Sequence, residues 1–123
     1  MNILVKVLLL IILLSFPQKG KAQENFRTGV PYTANVSACL EKSDIDIMVV
    51  ADKEGYANEM WQFLSLAGKC GNLTLELTFV KVIESFVAHD GVMKYIAEAT
   101  VDGEQGKLTI YVATRRQILE VRA

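Results

Sequence analysis

The sequence predicts an α+β fold: an N-terminal helical hairpin packed on a C-terminal antiparallel β-meander or small barrel of about four to five strands. Three observations lead there. Apolar residues before Cys70 recur at helical spacing, apolar residues after it alternate with polar ones, and glycine-containing turn sequences separate the alternating runs.

The first 22 residues read as a cleavable signal peptide. Lys6 and the α-amino group form a short positive start, and Val7 to Phe16 (VLLLIILLSF) is an apolar run of signal-core length, too short to span a bilayer stably. Pro17 breaks that run. Gly20 and Ala22 are small residues two apart, as signal peptidase requires, which places cleavage before Gln23. The competing reading is an uncleaved anchor. With no cysteine at the junction, a bacterial lipoprotein is disfavoured. The expectation is a secreted or periplasmic domain with no membrane attachment after cleavage. Removal of Lys6, Lys19 and Lys21 takes three of the 13 basic residues and none of the 14 acidic ones, leaving a net charge of about −4. An acidic domain without a basic block is a poor match for nucleic acid.

Residues 23–37 (QENFRTGVPYTANVS), with Gly29, Pro31 and scattered polar groups, read as an extended lead-in. Residues 38–123 read as a single small domain that would gain from a covalent staple. The pair Cys39 and Cys70 supplies one: in an oxidising compartment two cysteines most often join. Closing a loop of roughly 30 residues stabilises by about 3–4 kcal/mol in the chain-entropy model. A redox dithiol would favour C-x-x-C spacing, and two cysteines with one histidine make a poor zinc site.

Ser43 to Asp52 (SDIDIMVVAD) carries two periodicities. Ile45, Ile47 and Val49 alternate as in a strand, whereas Ile45, Met48, Val49 and Asp52 lie at helical spacing. Ser43 suits an N-cap and Asp44 and Asp46 a first turn, so a short helix is preferred, although its β-branched residues weaken it. Glu54 to Ala67 is the clearest helix. Tyr56, Met60, Phe63, Leu64 and Ala67 form its apolar stripe, Trp61 flanks it, and Asn58, Glu59, Gln62 and Ser65 face away. Gly68 is placed to end it.

After Cys70 the period becomes two. Leu73, Leu75, Leu77 and Phe79 alternate with polar residues, and the apolar set changes phase at Val80, which predicts a bulge or bend. Met93 to Val101 and Leu108 to Val112 alternate again, and Ile118 to Val121 is a last short strand. Turn chemistry lies at His89-Asp90-Gly91 and at Asp102 to Gly106.

This organisation resembles short secreted bacterial proteins in which a cysteine, a helical hairpin and a second cysteine precede a small β-barrel of the Src-homology-3-like kind. The likeness rests on Ala38-Cys39, on Ala51 to Gly55 (ADKEG) as the hairpin corner, on Phe63-Leu64 and on Gly68-Lys69-Cys70. It implies a fold and no active site. The β-branched first helix and the longer first strand depart from it.

Candidate chemistry is sparse. His89 is the only histidine; Ser85 precedes it, but no G-x-S-x-G elbow surrounds any serine. Glu76, Glu84, Glu98 and Glu104 sit where solvated strand faces and turns place them, not as a glycosidase pair. No phosphate-cradling glycine motif occurs. Asn35-Val36-Ser37 and Asn72-Leu73-Thr74 are glycosylation sequons that matter only in a eukaryotic host, and Arg115-Arg116 is a basic pair able to meet an acidic partner. The expectation is a non-enzymatic binding domain, without cofactor or metal, for a peptide, cell-wall fragment or protein. The alternative is a small inhibitor of a secreted or periplasmic enzyme, inserting His89 to Val92 or Asp102 to Gly106 into a cleft.

Overall fold

The computed structural model describes residues 25–120. The proposed signal peptide, with Gly20, Ala22 and Gln23, lies outside them, as does Val121. The element order is β1 (Phe26–Arg27), β2 (Pro31–Cys39), α1 (Lys42–Glu54), α2 (Ala57–Leu66), β3 (Cys70–Val87), β4 (Met93–Gly103), β5 (Gly106–Thr114) and β6 (Ile118–Leu119). The fold is α+β, with a helical hairpin followed by most of a four-stranded antiparallel sheet.

Two readings need correction. The segment read as a lead-in supplies the first strand of that sheet, pairing with β3 from Pro31↔Thr78 to Cys39↔Cys70. Gly29 and Pro31 suggested a loop, but proline is tolerated at the first residue of a strand. Tyr32, Ala34, Val36 and Ala38 carry the period-two signal and pack toward the core. The last strand does not extend the antiparallel meander; β6 instead forms a two-residue parallel pair with β1, Phe26↔Ile118 and Arg27↔Leu119.

The sheet order is β2-β3-β4-β5, and β5 returns to β2 over three residue pairs, Ser37↔Ala113, Ala38↔Val112 and Cys39↔Tyr111. The sheet therefore closes on itself as an irregular ring rather than a regular barrel. Closure demands a bend, and β3 provides it. Its ladder to β4 shifts register between Phe79 and Lys81 and again between Val82 and Glu84. The first shift coincides with the phase change at Val80. An extra residue on one strand bends it and increases its twist, so one long strand serves both halves of the ring.

The helices meet at Gly55-Tyr56. Gly55 adopts φ +92, and the Gly55 and Tyr56 N–H groups both donate to the Ala51 carbonyl, closing the end of α1. Only glycine takes this left-handed conformation cheaply. A Cβ at Gly55 would also lie 3.1 Å from the His89 ring. Gly55 thus divides the residues read as one helix from Glu54: Glu54 ends α1, and α2 begins at Ala57. The helix at 43–52 exists, but Glu41 rather than Ser43 occupies its N-cap. At the far end of α2 the Lys69 N–H donates to the Leu64 carbonyl and the Gly68 N–H to the Ser65 carbonyl, a Schellman closure on a left-handed glycine.

Each strand has two faces, and both are used. The inner face of the ring holds Val36, Ala38, Leu77, Phe79, Ala97, Ala99, Ile110 and Val112, sealed at one end by Phe26 and Ile118 of the β1–β6 pair. The outer face gathers Cys39, Phe86, Ala88 and Ile96 beneath Ile45 and Val49 of α1. Cys39 and Cys70 are joined, with α-carbons 4.1 Å apart. They bond as directly paired residues of neighbouring strands and brace the chain where it leaves the sheet for the hairpin and where it re-enters.

Candidate functional site

The outer core is incompletely covered, and a cleft of about 320 Å³ opens between the helical hairpin and the sheet. Its depth is apolar. Ile45 and Val49 of α1 meet Phe86 of β3 and Ile96 of β4, with Met48 and Trp61 along the sides. Residues Ile45, Met48, Val49 and Asp52 share one face of α1 because they recur at helical spacing, and all four line the cleft.

One wall is ionic. Lys94 Nζ lies 2.5 Å from an Asp52 carboxylate oxygen, and both side chains are largely buried. Asp52 also accepts the His89 N–H through its main-chain carbonyl, 2.9 Å away. Asp52 therefore ties the C-terminal end of α1 to the β3–β4 turn by side chain and backbone at once. His89 sits in that turn with its ring against Gly55.

A second part of the lining is polar and neutral. Ser37 and Asn72 face each other across β2 and β3, and the Ser37 hydroxyl donates to Asn72 Oδ1 at 2.7 Å. Two residue pairs further along the ladder the Asn35 amide donates to Thr74 Oγ1 at 2.8 Å. The two sequons thus interlock across one ladder, each asparagine bonded to the other's hydroxyl residue. They form a hydrogen-bonding strip that leads out of the cleft.

Arg115 and Asn58 of α2, both exposed, also line the cleft. The basic pair seen in the sequence is split. Arg115 lines the cleft, whereas the Arg116 guanidinium lies 3.8 Å from the centre of the Phe26 ring, at the sealed end of the inner core.

The stripe assigned to α2 is rotated. Leu64 is buried, but Phe63 is 65 % exposed, and Tyr56 and Ala67 are also exposed. Trp61, read as a flank, and Asn58, read as facing away, both reach the cleft. Ten residues of helix offer too few apolar positions to fix the rotation from sequence, because several faces score alike. Of the carboxylates considered for catalysis, Glu98 stands opposite Lys81 in a shallow groove near Tyr111, and Glu76 and Glu104 are exposed. Among the described residues no three metal-ligating side chains come together, and no helix is long and apolar enough to cross a membrane.

Comparison of the chain with protein-family models, with curated proteins and with solved structures found no match.

Proposed function

We propose that this protein is a non-enzymatic binding domain and that the cleft between hairpin and sheet is its ligand site. A single observation carries the reading: a concave cavity of about 320 Å³ that combines the buried apolar side chains Ile45, Val49, Phe86 and Ile96 with a small number of hydrogen-bonding and charged groups. That combination suits a small ligand group held by burial and oriented by a few polar contacts, and its size lies at the small end of the range for such sites. We further propose that the domain acts in the periplasm or outside the cell after removal of residues 1–22. The Cys39–Cys70 disulfide supports that compartment. The likeness to Src-homology-3-like barrels is part of the same proposal, as a likeness of architecture, supported by strand number and ring closure.

Trp61 is the only tryptophan, so its fluorescence reports on the cleft directly. A fragment and peptide screen followed by Trp61 emission and two-dimensional NMR should give binders whose shifts centre on Met48, Trp61, Lys94 and Ala113. Asn58→Trp, at the exposed rim, should obstruct those binders while leaving stability unchanged. A screen with no hits in the cleft, or hits indifferent to the rim substitution, would reject the reading.

The inhibitor reading requires a loop free to insert. Of the two loops considered, the His89 turn is anchored to α1 through the His89–Asp52 backbone bond. The Glu104-Gln105 tip, between the paired Gly103 and Gly106, is exposed and remains the only one suited to that role.

A further inference from the structure

We infer that the cleft selects a ligand bearing a free carboxylate next to an apolar group, and that this ligand is the carboxyl-terminal end of a peptide; the inference rests on the cleft being the binding site. Three charged side chains line the cavity, and they do not cancel. Lys94 is neutralised by Asp52. Arg115 has no acidic partner among the described residues. The mouth therefore carries one unmatched positive charge, on a chain whose acidic residues outnumber its basic ones.

Guanidinium matches a carboxylate with two parallel N–H donors, so a single unpaired arginine at the rim of an apolar cavity favours one anionic group anchored there. The apolar floor takes the adjoining side chain. The identity of the remainder comes from the strip beyond Ser37 and Asn72. Its amide and hydroxyl groups are neutral and follow the strand direction, which suits the amide groups of preceding peptide residues better than a small acid with nothing upstream.

The test titrates the oxidised protein with an acetylated hexapeptide ending in phenylalanine, with the same peptide as its C-terminal amide, and with N-acetylphenylalanine, reading Trp61 emission. The acid peptide should bind about tenfold tighter than the amide, the ratio expected for one charge-assisted contact at an exposed rim. That ratio should shrink as salt is raised. Arg115→Gln should abolish the ratio without weakening the amide, and Arg115→Lys should restore part of it. Equal binding of acid and amide overturns the carboxylate selection while leaving the cleft as a binding site. N-acetylphenylalanine binding as tightly as the hexapeptide overturns the peptide source in favour of a small carboxylic acid. Failure of all three probes to perturb Trp61, with fragment hits still mapping to the cleft, overturns the inference alone; failure of the fragment screen as well removes the site itself.

Discussion

The inner and outer faces of the same strands end in opposite states. Ala97 and Ile96 are neighbours in β4, and Val112 and Ala113 are neighbours in β5. Ala97 and Val112 vanish into a core enclosed by the ring and sealed by Phe26 and Ile118. Ile96 and Ala113 lie on the side covered by helices, and there the covering leaves a cleft. The difference is geometric. A curled sheet surrounds its own interior, so its side chains fill the space from all directions. Two helices of 13 and 10 residues are cylinders laid against a curved surface and cannot follow it everywhere. The closed face supplies rigidity and the incompletely covered face supplies the proposed site.

This contrast can be broken at its strongest point first. Phe79 is wholly buried at the centre of the inner core. Phe79→Ala should lower unfolding free energy by about 3–5 kcal/mol, because a closed cavity has no neighbour free to collapse into it. Guanidinium denaturation measures it, and a loss near 1 kcal/mol would mean that the ring is loosely packed.

The joint between the two regions comes next. Replacing Cys39 and Cys70 together by serine should cost about 3–4 kcal/mol and lower Tm, while binding at low temperature persists. Loss of binding under conditions where the reduced protein remains folded would show that the staple shapes the cleft as well as stabilising it.

Asp52 links the helical layer to the β3–β4 turn. Asp52→Ala leaves Lys94 without its partner in a largely buried position and should destabilise by about 1–3 kcal/mol, between the values for exposed and buried pairs. Hydrogen exchange should accelerate first at His89, whose N–H donates to the Asp52 main-chain carbonyl. Unchanged exchange there would detach the turn from the hairpin energetically.

The smallest effect belongs to the outer side of α2. Leu66 is 91 % exposed, so Leu66→Ser should change stability by no more than about 0.5 kcal/mol. Leu64→Ala, two residues away and buried, should cost about 2–4 kcal/mol. Similar losses at both positions would show that the helix is rotated from its described orientation.

Local chemistry was readable along the chain wherever a short-range rule decided it. The change from helical to alternating period near Cys70, the bulge at Val80, the turn at Asp102 to Gly106 and the helix stop at Gly68 each depend on a few adjacent residues. The face of α1 was legible too, because Ile45, Met48, Val49 and Asp52 form one spaced set, and those residues line the cleft. The β2 strand was hidden by Gly29 and Pro31, although its alternation from Tyr32 to Ala38 was present throughout.

What the sequence by itself determined is therefore the set of elements from α1 onward, the phase of their apolar residues and the availability of two cysteines for pairing. Only the tertiary structure decided that Cys39 faces Cys70 across a ladder, that β2 closes the ring, that Arg115 and Arg116 part to opposite sides, and that Trp61 rather than Phe63 borders the core. Those outcomes depend on contacts between residues far apart in the chain. A side chain's own neighbourhood in sequence sets which conformations are cheap, but which face becomes covered is set by the shape of whatever packs against it.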